Sequence, residues 1–298
     1  MLNSGIAHYL SKDLAHNKRS KYHWACSQNN QRFDVVYVGS SRVEMTVDPR
    51  VIDASLGTTS INIGASGAGA GDQFLLTSHL LNQNAVQTVL FQVDYLSLAD
   101  KFTYPFKDYI WLCYDNNTNV RQTLIDHCGH LRYAAWRYLP FLRLMEFSSQ
   151  YRLFAPPSNS DYLDERKGGL QRDTPFDPSK RDLPAVYEPQ SLPTAYVRKT
   201  IELCKQQNIQ LVLFQAPYRS TLQEVSQYPE CSRLIRKLAA EYDLKYWDFS
   251  DLYYTRPELF NDNHHLNSKG VQQFSQVLSK RIKDASLINV GMLEPSTE

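Results

Sequence analysis

The chain has 298 residues, 42% of them hydrophobic and 21% charged, with a formal net charge of +1. That composition is ordinary for a globular protein and is enough to bury a core without disulfide or metal staples. So small a net charge gives no electrostatic basis for a nucleic-acid partner, and no apolar run is long enough for an integral membrane helix.

The N-terminal stretch, residues 1–31, is polar, with sparse apolar residues at helical spacing (Ile6, Tyr9, Leu10, Leu14), and predicts one amphipathic lead-in helix. It lacks the apolar core of a signal peptide. The chain is therefore expected in the cytoplasm by default, or at the cell envelope if an anchor once preceded it. Phe33 to Val38 is a short β-branched run ending at Gly39 and predicts a buried parallel strand. Ser60 to Ile63 predicts a second strand, followed by a small-residue loop from Gly64 to Gly71. Gln73 to Asn84 reads as a helix with Phe74, Leu75, Leu76, Leu80 and Leu81 on its apolar side. Thr88 to Val93, Gln210 to Phe214 and Lys245 to Phe249 predict three further strands. Helical patterns at Ala195 to Gln207 and Cys231 to Tyr242 precede the last two, and Ser268 to Lys283 closes the series. Alternating strands and helices imply βαβ units with right-handed crossovers. The expected fold is α/β: three α/β/α layers around a five-stranded, mostly parallel, flavodoxin-like sheet.

Residues 97–190 break this rhythm. Their first part is aromatic and predicted helical around Val120 to Ser148. Their second part, Phe154 to Pro193, is rich in Pro, Asp, Arg and Gly. An insertion covering part of the sheet's carboxyl edge fits better than a separate domain, because the sheet needs strands from both sides of it. The whole chain, 1–298, is thus read as one domain. The five cysteines (Cys26, Cys113, Cys128, Cys204, Cys231) are odd in number and irregularly spaced, and read as mostly reduced, buried thiols.

Ligands of parallel α/β sheets bind beyond the carboxyl ends of the strands. Gly39-Ser40-Ser41-Arg42 follows the first strand there, Asn62 to Gly67 the second, and Gln92-Val93-Asp94-Tyr95 the third. A polar turn after the fifth strand, Asp262-Asn263-His264-His265, sets an acid three residues before an imidazole. A carboxylate so placed can orient the ring and stabilise its protonated form. Taken alone, Ser40 and Ser41 read as a turn and helix cap. Joined to a downstream Asp-x-x-His, they read as the nucleophile segment of a hydrolase.

These segments resemble the SGNH (GDSL-type) hydrolase superfamily, over residues 33 to 283. Gly-Ser-Ser resembles its first block, which implies Ser41 as nucleophile. The loop through Asn62 and Gly67 resembles its second, which implies the Gly67 N–H in an oxyanion hole beside that of Ser41. Asp262-x-x-His265 resembles its last, which implies Asp262 as the acid and His265, not His264, as the base. The resemblance is nearest to the branch acting on cell-envelope polysaccharide acylation. It implies a serine esterase or O-acyltransferase acting on O-acylated, chiefly O-acetylated, carbohydrate or another small ester. One block departs: its Asn donor is missing from Gln92-Val93-Asp94-Tyr95, so either the hole uses only the N–H groups of Ser41 and Gly67, or Tyr95 or Gln92 assists. The same departure opens a second reading, a weak or inactive module that binds polysaccharide. Arg42, Asn62, Asp94 and His264 are the expected substrate contacts, with a surface position as the alternative for Arg42.

Neither cofactor nor metal is expected. Gly67-Ala68-Gly69-Ala70-Gly71 has Asp72 where a dinucleotide fingerprint needs glycine. His127, Cys128, His130 and Cys113 match no common zinc spacing. The oligomeric state is left open.

Overall fold

The computed structural model describes residues 21–98, 108–146, 161–171, 173, 189–219 and 228–288. Five strands form one sheet: β1 (Arg32–Val38), β2 (Ser60–Asn62), β3 (Ala85–Gln92), β4 (Gln210–Gln215) and β5 (Lys245–Asp248). They lie in the order β2-β1-β3-β4-β5, and every neighbouring pair is parallel. This is the flavodoxin-like order, with its reversal between β1 and β3. The expected fold class is the one observed, with a sheet that is wholly rather than mostly parallel.

The strands read as continuous apolar runs because both faces are buried. β1 sends Phe33, Val36 and Val38 into one core, and Val35 and Tyr37 into the other. β4 divides Leu211 and Leu213 from Val212 and Phe214 in the same way. Helices Ala70–Gln83, Ser191–Gln206 and Tyr228–Glu241 cover the first face, and Pro49–Leu56 and Ser268–Asp284 the second.

Helix Pro49–Leu56 was not among the expected elements. Asp48 caps it by accepting the Arg50 N–H, Pro49 opens it, and Gly57 ends it at φ 67°. The lead-in residues 1–20, including Ile6 to Leu14, lie outside the described residues, and a short buried helix, Lys21–Cys26, follows them. Within 97–190, helices Thr118–Cys128, His130–Tyr138 and Pro140–Glu146 occupy the aromatic part, while residues 147–160 and 174–188 lie outside the described set. The chain after Asp161–Glu165 returns to the carboxyl edge. There the Lys167 carbonyl accepts the Asn62 N–H at 2.9 Å, and Leu170 donates its N–H to the Glu44 carbonyl at 2.7 Å. Cys26, Cys204 and Cys231 are buried thiols outside any disulfide, and burial pushes the Cys204 thiol up to about 12. Among the described residues no helix is long and apolar enough to cross a membrane.

Candidate active site

Ser41 begins a single helical turn, Ser41–Glu44, directly beyond β1. The Ser40 side chain caps that turn by accepting the Arg42 N–H, and Ser40 also bridges to Ala65 after β2. The turn packs so closely on the β2 loop that a Cβ at Gly64 would lie 2.7 Å from the Glu44 backbone nitrogen. Only glycine fits there. Ser41 is thereby left half-exposed at the carboxyl edge of the sheet.

The second segment is a closed turn. Phe260 and Leu266 pair as an antiparallel bridge, and Asn261 donates its N–H to the His265 carbonyl at 2.9 Å. Asn267 caps helix Ser268–Asp284 by accepting the Gly270 N–H at 3.0 Å. Asp173 accepts from both the backbone and the hydroxyl of Ser268. The Asp262 side chain organises the turn from within: Oδ1 accepts the N–H groups of His264 (2.9 Å) and His265 (2.8 Å).

The two segments meet although 224 residues separate them. His265 Nε2 lies 2.9 Å from Ser41 Oγ, and His265 Nδ1 lies 2.7 Å from Asp262 Oδ2. Burial alone would raise the Asp262 carboxyl, but the hydrogen bond and charge of His265, with the His264 N–H, outweigh it and hold the group well below the usual carboxylate range. An ionised carboxylate can only accept, so Nδ1 carries the proton and donates it. Nε2 is then left as an acceptor aimed at the Ser41 hydroxyl. Such an arrangement can take a proton from Oγ as Oγ attacks.

Arg42, Asp94 and Asn62 correct the expected substrate contacts. Arg42 and Asp94 are both fully buried and form an ion pair, Nη1 to Oδ2 at 2.8 Å. A guanidinium without solvent exposure cannot greet an anionic substrate. Asp94 also accepts from Gln92 Nε2 at 2.8 Å and from the N–H and hydroxyl of Ser97, so its charge is neutralised internally. Asn62 spends its amide on the Val43 and Val47 carbonyls, each at 2.9 Å, and its carbonyl on the Gly64 N–H. It braces the Ser41 turn. His264 is half-buried, its ring edge-on to that of His265 at 4.9 Å. The side chain of Tyr95 lies outside the described residues.

Gly67 sits exposed at φ +71° in a turn closed by the Ala68 N–H to the Ala65 carbonyl. A positive φ at the third position of such a turn favours glycine. Beside it, Ser66 donates to the buried carboxylate of Glu44 at 2.6 Å. Lys21, buried and donating to the Gly168 carbonyl, is lowered to about 8 by desolvation, against an opposing pull from Glu44. Glu44 and Lys21 carried no signal in the sequence, because their role depends on burial beside distant loops.

Asp262, His264 and His265 each offer a ligand atom within 4.8 Å of the others. Here Asp262 Oδ2 and both nitrogens of His265 are already engaged in the hydrogen bonds above, so a cation would have to displace them. A cleft of about 310 Å³ lies at the opposite edge, lined by Ile201, Lys205, Ile209, Tyr242 and Leu244 among others, and contains none of the expected site residues.

One family model matches residues 163–287, less than half of the chain. No curated protein matches the sequence. Among solved structures, a lipase/acylhydrolase from Enterococcus faecalis is 10% identical, with TM-score 0.39, over 86% of this chain and 96% of that one. A GDSL-like lipase from Bacteroides thetaiotaomicron is 11% identical, with TM-score 0.39, over 85% and 88%. A family two carbohydrate esterase from Clostridium thermocellum, solved with cellohexaose, is 8% identical, with TM-score 0.38, over 86% of this chain and 64% of that one.

Proposed function

We propose that this chain is a serine esterase or O-acyltransferase of SGNH type that acts on O-acylated, chiefly O-acetylated, carbohydrate. The observation that carries the reading is the continuous chain Ser41 Oγ to His265 Nε2 (2.9 Å) and His265 Nδ1 to Asp262 Oδ2 (2.7 Å). His265 takes the Ser41 proton while Oγ attacks the ester carbonyl carbon. The backbone N–H groups of Ser41 and Gly67 hold the oxyanion that forms. The imidazolium, steadied by Asp262, then gives its proton to the departing alkoxide, leaving an acyl-serine. Water or a sugar hydroxyl loses a proton to Nε2 and attacks in turn, and Ser41 recovers its hydrogen. The carbohydrate substrate follows from the motif resemblance. The chain is taken as one domain with residues 97–190 as an insertion over the carboxyl edge, a reading supported by the Leu170–Glu44 and Asp173–Ser268 bonds.

The rival, a binding module without turnover, rests on the Asn missing from the third block. One assay separates them: acetate release from a chromogenic acetate ester and from an acetylated polysaccharide, by wild type and by Ser41→Ala. Turnover of both by wild type and neither by the variant supports the proposal. Glycan binding with no release by either protein supports the rival.

A further inference from the structure

We propose that the buried Arg42–Asp94 pair is a positioning device that sets the distance between Ser41 and His265. This deepens the reading of Ser41 as nucleophile and rests on it. Arg42 is the residue after Ser41, so whatever fixes its side chain fixes the Ser41 turn. Its fork is used on every side. Nη1 meets Asp94 at 2.8 Å, and Nη2 donates to the carbonyls of Ala216 (2.7 Å) and Pro217 (2.9 Å) beyond β4. Nε points at the His264 carbonyl at 3.5 Å, and the guanidinium lies 3.4 Å from the centre of the Tyr218 ring. The gripped loop itself holds the other half of the triad. Arg219 donates its N–H to the Asn263 carbonyl and its Nη1 to Asn263 Oδ1, both at 3.2 Å. A run of bonds thus leads from Ser41 through Arg42 and the β4 loop to Asn263, two residues before His265.

Asp94 gives that fork its orientation. It stands at the end of β3, where the resembled block carries an Asn donor, but its oxygens are turned to Arg42, Gln92 and Ser97. A buried ion pair is weak evidence for stability, since an apolar pair of similar volume often does as well or better. What an apolar pair cannot supply is the fork that grips the carbonyls. A lysine could keep the charge but not the fork.

The test uses the full-length chain. Tm, ester hydrolysis and labelling by a fluorophosphonate serine probe are measured for wild type, Arg42→Met, Asp94→Leu, the double variant and Arg42→Lys. Each single apolar variant leaves one buried charge unpaired and lowers Tm, and the double variant recovers much of the loss. If the pair positions the triad, the folded double variant and Arg42→Lys show kcat and labelling rate reduced about 10- to 100-fold with KM nearly unchanged. A folded double variant or Arg42→Lys that keeps wild-type kcat and labelling would overturn the positioning role alone. A folded wild type that is never labelled at Ser41 would overturn the nucleophile reading and the positioning role together.

Discussion

Asp262 grips His265 at two points: Oδ2 lies 2.7 Å from the ring's Nδ1, and Oδ1 accepts the residue's own backbone N–H at 2.8 Å. One carboxylate therefore fixes both the peptide and the ring, and it selects the tautomer that leaves Nε2 open to Ser41.

Asp262→Asn should separate these two holds. An amide oxygen can still accept the backbone N–H groups, so the turn stays closed. Its NH₂ would donate to Nδ1 and force the proton onto Nε2, leaving no base for Ser41. Ester hydrolysis should fall on the order of 10⁴-fold in kcat with little change in KM, in a variant that still folds but melts at a lower temperature at neutral pH. Steady-state kinetics on a chromogenic ester, with thermal melts alongside, checks it.

The same carboxyl should be visible in the acid limb of stability. Its folded pKa lies below the unfolded value, so its contribution is fully present above about pH 4 and is lost as pH falls towards the folded value. Denaturant midpoints taken across that range should fall more steeply for wild type than for Asp262→Asn. Parallel curves would contradict the assignment.

Lys21 predicts the opposite limb. Burial lowers it to about 8, against about 10.4 in an unfolded chain. Between those values the unfolded state binds more protons than the folded one, so stability rises with pH through that window. The stability of wild type relative to Lys21→Met should climb from about pH 8 to about pH 10.4 and level off beyond it. A flat difference would show that the ammonium is not desolvated in solution.

Gly64→Ala tests the close approach that sets Ser41. The added Cβ would meet the Glu44 backbone nitrogen at 2.7 Å and the Val43 side chain at 2.8 Å. Backbone cannot give way as a flexible side chain can, so the substitution should cost about 1–3 kcal/mol by urea unfolding. Activity should fall as the Ser41 turn is pushed outward. At Gly67, where an added Cβ meets nothing within 4 Å but φ is +71°, the cost should be the smaller strain of about 1–2 kcal/mol.

The sheet was legible because both its faces are buried: Val35 to Val38 and Leu211 to Phe214 stand out as β-branched and aliphatic runs whichever core each residue enters. Helix Pro49–Leu56 carried its own signals in Asp48, Pro49 and Gly57, but its short apolar stripe of Ile52 and Leu56 left them unread. The meeting of Ser41 with Asp262 and His265 was suggested by motif spacing and by the strand ends that carry them. Arg42 and Asp94 were misread for a physical reason. Charged residues in candidate site loops look like substrate contacts until a partner 52 residues away neutralises them out of reach of solvent. Such pairing depends on tertiary packing, as does the grip of Arg219 on Asn263.

The central claim is that Ser41 is a nucleophile activated by His265. The most direct measurement is covalent labelling by a fluorophosphonate probe at neutral pH, with the modified residue located by peptide mass spectrometry. The account predicts one adduct, on Ser41, lost in Ser41→Ala and strongly slowed in a folded His265→Ala. A folded wild type that takes no label on Ser41, or that labels equally fast without His265, would contradict it.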